Sequence, residues 1–219
     1  MAAILEEHLG ISISFDAGCS DACARFATPL YEQLAAGRYD WPASVMPLPI
    51  SREAWEAEHR TARKRANACE RRGYRFAEID RAERVDEIFA INTSAPERQG
   101  RPMADSYRLR PAYSPLPAYE CPRHAIYAYG VVDALDVLAA YTWVYRAGEL
   151  VMFSTILGHA DRLDDHVMYL LVREALVAQR AIGDGLAFYN RHDSGTEGLR
   201  WQKERLGFLP TRVRWDLGC

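Results

Sequence analysis

A chain of 219 residues, 49% of them hydrophobic, is long enough to bury a sizeable core, which excludes a disordered chain and leaves one generous domain or two small ones. A formal net charge of −3 gives no sign of a strongly basic nucleic-acid binder, although the charge can still be unevenly spread. No stretch approaches the ~20 uninterrupted apolar residues of a membrane span. The opening residues MAAILEEHLG carry acids where a secretion signal carries bases, so a cytoplasmic protein without a membrane partner is expected, its oligomeric state open. The five cysteines, an odd number, read as reduced thiols rather than as a disulfide framework. The excess of Arg and Ala is of the kind found in GC-rich bacterial genomes.

In chain order, Ile11, Ile13 and Phe15 alternate with serines as in a strand, and Phe26, Leu30 and Leu34 recur at helical spacing. Between these segments lie Cys19 and Cys23, four apart and able to share a helix face. Cys121-Pro122-Arg123-His124 adds a C-x-x-H, so four soft ligands exist in the chain. The spacing matches no known zinc signature; no metal is assigned, and buried or incidental thiols are the plainer reading. Residues 39–49, with three prolines, read as a loop.

Ser51 is a cap for a long helix running to Arg72 and stopped by Gly73, with Glu53 and Glu56 near its positive end. Its second half gathers Arg60, Arg63, Lys64, Arg65, Arg71 and Arg72 into a positive ridge, either a solvated surface paired with glutamates or a phosphate-binding face. A strand over 74–79 follows, then a short helix over 86–93. Arg98 and Arg101 sit in a polar loop, where planar forks can hold a carboxylate or phosphate or simply face water. Asp105, Ser106 and Tyr107 come next. Pro111, Pro115, Pro117 and Pro122 then mark a rigid connection.

Three strands are expected at 126–132, 137–146 and 150–157, joined by turns at 133–136 and 147–149. The loop Gly158-His159-Ala160-Asp161 brings an imidazole and a carboxylate to the end of a central strand, and His159 is the leading base candidate because imidazole as a class serves as a base near working pH. A helix capped by Asp164 or Asp165 runs to Ala181, and a buried strand covers 186–189. Turn residues 190–195 lead into a helix from Thr196 that Gly207 stops, with Phe208 as the apolar contact after it.

The order meander, helix, strand, and the ending in which Asn190 closes a strand before a three-turn helix and G-F, resemble the GNAT acyltransferase fold over 74–215, where the last pattern is N-x(n)-L-Y-x-x-x-G-F. The position four before Gly207 is Lys203 instead of the usual Tyr. A Lys there resembles the F-K-x-x-x-G motif of the Fem family, GNAT-fold enzymes that move an aminoacyl group from tRNA to a peptide amine. The basic helix before 74–79 is similar to the Fem element R-x-N-I-x-K-A-x-x-x-G-V. Lys64 and Lys203 are the chain's only lysines, so an ammonium at position 203 stands out among arginines, although a solvated surface lysine is the alternative. The GNAT coenzyme A signature [RQ]-x-x-G-x-[GA] falls on Arg162 to Val167, where both glycines are missing. Asp165 would there put a carboxylate beside the pyrophosphate, a repulsion of about 1–4 kcal/mol at ~4 Å.

The resemblance implies an α/β (α+β) fold, a GNAT-like mixed, mostly antiparallel sheet flanked by helices, with 1–73 as an N-terminal segment and 74–219 as the core. It implies an acyltransferase taking an aminoacyl group from aminoacyl-tRNA to a peptide or small-molecule amine, without a cofactor. Lys203 would neutralise phosphate or a developing oxyanion, and His159 or Asp161 would take the amine's proton. Arg162, His166, Asn190, Arg63 and Lys64 would hold the donor with Lys203, while Arg98, Arg101, Tyr107 and Tyr145 would orient the acceptor. A full Fem protein has two such domains; this chain has room for one and a remnant. The alternatives are an N-acetyltransferase using acetyl-CoA as co-substrate and a catalytically silent binding module.

Overall fold

The structure, a computed structural model, describes residues 11–14, 20–36 and 42–216. Its first half runs β1 (Ile11–Ser14), α1 (Asp21–Ala36), β2 (Ala43–Pro47), α2 (Arg52–Glu58), α3 (Arg60–Arg71), β3 (Arg75–Glu78), α4 (Val85–Thr93), the ribbon β4 (Glu97–Arg98) and β5 (Arg101–Pro102), and α5 (Asp105–Arg108). The second half runs β6 (His124–Val132), β7 (Leu138–Ala147), β8 (Leu150–Gly158), a 3₁₀ turn over Ala160–Asp165, α6 (Val167–Ile182), β9 (Leu186–Arg191), α7 (Glu197–Arg205), β10 (Leu209–Thr211) and β11 (Val213–Asp216).

Seven strands form one sheet in the order β10-β2-β9-β8-β7-β6-β3, in which β8–β9 is the one parallel pairing. Two-residue alternation sends Tyr129 and Val131 of β6 to one face and Ala128 and Val132 to the other. The first face is covered by α6, with α3 and α2 packed beyond it, and buries Trp55, Leu171 and Phe208. On the other face α1 brings Ala27, Tyr31 and Leu34, and α4 brings Ile88 and Ile91. Each large apolar side chain so enclosed contributes about 1.5–3 kcal/mol, and β7, buried along nearly its whole length, is the spine of the sheet.

Three local readings are corrected. Residues 43–47 are not loop: β2 pairs with β9 on one side and β10 on the other. Prolines 42, 47 and 49 fall outside or at the end of that strand, where a missing N–H breaks no central ladder; residues 39–41 lie outside the described residues. The long helix after Ser51 is two. Ser51 Oγ does accept from Ala54 N (3.1 Å), but His59, at φ −110° and ψ 55°, ends α2 and starts α3. Its ring sits against Trp55 and directly under Gly207, where a Cβ would stand 2.6 Å from His59 Nε2. Finally, neither Asp164 nor Asp165 caps α6: both belong to the 3₁₀ turn, and His166 in the left-handed region (φ 67°) is the boundary.

Candidate functional site

Strands β8 and β9 pair only from Leu150↔Leu186 to Met152↔Phe188 and then separate. Each stays bonded on its outer side, β8 to β7 and β9 to β2, so the sheet opens into two arms ending at Gly158 and Arg191. The β8 arm carries a bulge, since Val144 faces Phe153 while Trp143 faces Thr155, leaving Ser154 without an opposite residue. Both arms turn unpaired backbone toward the wedge between them, a place where an extended ligand can complete the ladder. The throat is filled by side chains. Phe153 and Tyr189, the residues just past the last pair, stack at 6.3 Å, and Phe208 closes on Tyr189 edge-on at 5.4 Å. Burial pushes the Tyr189 phenol well up from its ordinary value.

Lys203 reaches this throat from α7. Thr196 caps that helix through Leu199 N, and Gly207 at φ 100° ends it, a left-handed position that tolerates no Cβ here because His59 lies beneath. These two ends fix which side of α7 faces the sheet. Lys203 is fully buried; Nζ donates to Arg191 O (2.5 Å) and Ser194 Oγ (3.1 Å) and lies 5.3 Å from the Tyr189 ring centroid. Desolvation lowers its pKa to about 8, with the Asp193 carboxylate opposing the shift weakly. That carboxylate is turned to the Arg191 guanidinium (2.9 and 3.0 Å). The ammonium therefore has neutral acceptors and a ring face, and no bonded counter-ion among the described residues.

The opposite arm carries His159 and Asp161. His159 Nδ1 accepts from Asp161 N (3.4 Å) and stands 4.0 Å from the Asp161 carboxylate, with the imidazole part-exposed and the carboxylate in solvent. Arg98 braces this arm, donating to Gly158 O, Ile91 O and Ser94 Oγ at 2.8–2.9 Å; its two terminal nitrogens serve the protein's own acceptors. Ser94 Oγ in turn accepts from Ala160 N (3.0 Å). Arg101 is exposed on β5 and Tyr107 half-buried on α5. Tyr145 stands on β7 across from Met152, on the face packed by α4, so it is at the level of the throat and not at the tips.

The residues expected to hold a donor gather loosely around the start of α6. Arg162 lies in the 3₁₀ turn, 3.4 Å from Tyr74 Oη and 3.8 Å from Asp133, and His166 packs edge-on to Tyr169. Burial, with Arg65 and Arg72 nearby, lowers the His166 pKa. Asp165 is occupied by Arg72 (2.7 Å) and by Tyr74 Oη (2.7 Å), so its charge is largely compensated. It is nonetheless a side chain where the coenzyme A signature requires none, and it ends a 3₁₀ turn that runs into the helix. This end of α6 does not fit a pyrophosphate cradle. Asn190, in the left-handed region at φ 56°, bonds its own arm through Arg191 N (2.7 Å). On α3, Lys64 is exposed and Arg63 half-buried.

One feature here escaped the sequence. Arg65 lies 4.8 Å from the Trp201 ring and 4.9 Å from the Tyr169 ring, to whose hydroxyl it also donates, while Arg205 covers Trp201 at 4.2 Å. The result is a basic and aromatic surface joining α3, α6 and α7 beside His166. Trp201 and Arg205 share a face of α7 at i, i+4, which was legible; that Arg65 and Tyr169 would meet them was not, since the contact crosses three elements. The one metal-type cluster among the described residues, Cys23, Cys121 and His124, lies elsewhere. An open depression of about 380 Å³ beside β6, lined by Glu78, Tyr119 and Tyr127 among others, is also apart from the mouth.

No family model and no curated protein matches the sequence. Among solved structures the chain is similar to FemX, 13% identical over 80% of this chain and 61% of that one at a TM-score of 0.58. It is also similar to L-PGS from Bacillus licheniformis, 13% identical over 80% and 60% at a TM-score of 0.52. A GCN5-related N-acetyltransferase from Kribbella flavida, 20% identical over 64% and 47%, reaches a TM-score of 0.40, too low to bear on the fold. The chain thus spans less than two thirds of the length of each of these structures. Its fold, a mostly antiparallel seven-stranded sheet that parts at its one parallel pair, is the GNAT-like fold of FemX and L-PGS.

Proposed function

We propose that the protein is an acyltransferase that forms an amide on an amine, taking an aminoacyl group from aminoacyl-tRNA. The observation that carries the reading is Lys203: a buried ammonium with a pKa of about 8, without a bonded counter-ion among the described residues, at the throat of a parted sheet. The Arg65–Trp201–Arg205 surface beside His166 supports a nucleic-acid donor, since cations clasp phosphate and an indole stacks on a base. The α6 end that does not fit a pyrophosphate counts against acetyl-CoA.

In the reaction the neutral amine attacks the ester carbonyl carbon. The C–N bond forms, the C–O bond to the ribose oxygen breaks, and the amine's proton ends on the leaving hydroxyl. The ester is already activated, so alignment and charge stabilisation suffice. Lys203, whose ammonium and amine are both accessible near neutral pH, stabilises the oxyanion or passes the proton to the leaving oxygen. His159 and Asp161, on the other arm, take the proton from the amine.

The test is transfer of label from radiolabelled aminoacyl-tRNA or acetyl-CoA to a panel of peptide amines. Label is expected to leave aminoacyl-tRNA, and Lys203→Met is expected to lower the rate ~10²–10³-fold, the usual consequence of removing one charge-stabilising group. Transfer from acetyl-CoA alone, or an unchanged rate in Lys203→Met, overturns the reading.

A further inference from the structure

At the end of the sheet away from the parted strands, His124 opens β6 across from Ala147, the residue that closes β7. Just before it, Cys121-Pro122-Arg123-His124 forms a tight turn closed by His124 N donating to Cys121 O (3.0 Å), which folds a thiol and an imidazole of one short segment onto the same side. The first turn of α1, from a distant part of the chain, lays Cys23 on this turn. The two sulfurs and a ring nitrogen of His124 all lie within 4.8 Å of one another, with Cys23 and His124 buried and Cys121 partly so.

We propose that Cys23, Cys121 and His124 form a zinc site that fastens α1 to the sheet. Zinc bonds of ~2.3 Å to sulfur and ~2.0–2.1 Å to nitrogen set tetrahedral edges of roughly 3.5–3.8 Å. The His124 Nδ1 to Cys121 Sγ separation is already 3.5 Å, so that edge is in place. The third donor needs only a small side-chain movement to complete a face. Two thiolates and a neutral imidazole balance the charge of a divalent ion, and soft sulfur with nitrogen selects zinc over calcium or magnesium. Ser20 Oγ, 3.6 Å from Cys23 Sγ and 3.1 Å from Glu120 Oε2, is placed to hydrogen-bond a coordinating sulfur. Cys19 lies outside the described residues and is not counted in the site.

A fastening role follows from what surrounds the cluster. Helix α1 also meets Tyr119, in the connection before β6, through Phe26, and meets the sheet through the Tyr31 hydroxyl bonded to Ala147 O and through a small apolar cluster. The cluster sits at the other end of β8 from Gly158, so a metal there stabilises the scaffold without touching the throat.

The full-length protein, purified without chelator, is assayed for zinc by mass spectrometry, then stripped and titrated with Co²⁺. Stoichiometric zinc is expected, with cobalt giving the intense thiolate charge-transfer bands and visible bands of a tetrahedral sulfur–nitrogen site. Cys121→Ser and His124→Ala are each expected to weaken Co²⁺ binding at least about a hundredfold, while Cys69→Ser, buried in the other core, leaves it unchanged. Protein that carries no zinc and gives no charge-transfer band with Co²⁺ overturns the proposal, as do bands that persist in Cys121→Ser. The wild-type titration decides the matter even if a variant fails to fold.

Discussion

Among the buried cations of the described residues, Arg173 and Lys203 are treated in opposite ways. Arg173 on α6 is enclosed by Glu174 (2.6 Å), Glu70 (2.6 Å), Glu56 (3.2 Å) and the Asn67 side-chain oxygen Oδ1 (2.5 Å), with Arg52 bridging Glu70 and Glu174 behind it. Lys203 on α7 is equally hidden but has a main-chain carbonyl, a serine hydroxyl and a tyrosine face. Arg173 joins α2 and α3 to α6 and its charge is answered on every side, which is what a structural tie needs. A buried charge left without a partner costs several kcal/mol and lowers its pKa instead. The protein accepts that cost at position 203, beside the place where the sheet opens. Burial alone therefore does not distinguish a scaffold residue from a site residue, and neither do neutral partners alone, since buried Arg146 donates to the Gln179 and Asp184 carbonyls; Lys203 is set apart by having such partners beside the parted strands.

The largest effect expected from this contrast is on stability. Arg173→Met removes the guanidinium while leaving Glu56, Glu70 and Glu174 crowded, with Arg52 as the remaining cation bridging Glu70 and Glu174. Loss of one member of a buried ionic network costs about 3–5 kcal/mol. Urea unfolding is expected to show that drop as a lower midpoint with an unchanged slope. Lys203→Met under the same conditions is expected to be neutral or slightly stabilising, because it replaces a desolvated cation with a thioether of similar reach. Equal losses in the two variants would erase the distinction.

The next effect, smaller, is in the pH dependence. The folded Lys203 pKa, about 8, lies below the unfolded value near 10.5. Between these values the unfolded chain binds more protons than the folded one, so stability rises with pH in that window and the penalty on the folded state is fullest below pH 8. From pH 8 to 9.5 the wild-type protein is expected to gain about 1.5 kcal/mol relative to Lys203→Met. Taking the difference between the two proteins cancels the tyrosines whose raised pKa values act in the other direction at higher pH. A flat difference across that window would mean that the ammonium is solvated after all.

What the sequence revealed and what it hid divide along the same physical line. The β6–β7–β8 meander, α6, β9 and the Gly207 stop were legible because each is marked by local periodicity or by a residue suited to one backbone conformation. Strand β2 was hidden because its neighbours in the sheet, β9 and β10, lie far along the chain and its flanking prolines suggest a loop. The break at His59 was hidden for a similar reason: no Gly or Pro marks it, and its cause is the packing of α7's end against the imidazole. Lys203 could be singled out as a rare residue type, but its burial could not. Arg98 looked like a free fork and is instead the brace of the β8 arm, since its acceptors are main-chain carbonyls that sequence does not locate.

Arg65 completes the comparison as a third kind of cation, held between two rings at the surface, one of them the part-exposed Trp201. A guanidinium over an aromatic face at such a site contributes about 0.5–1 kcal/mol, so Arg65→Gln is expected to change stability by no more than that. Its consequence belongs to binding. If this surface holds the phosphates of an RNA donor, the slope of log affinity against log salt is expected to fall by about one when the charge is removed. Trp201→Ala should instead weaken binding about tenfold with the slope unchanged, because stacking releases no counter-ions. Filter binding of aminoacyl-tRNA across a range of salt concentrations separates the two. Were both variants to bind as the wild type does, the cluster would be a helix-to-helix strut, an exposed counterpart of Arg173, and the donor would have to approach the parted strands from another side.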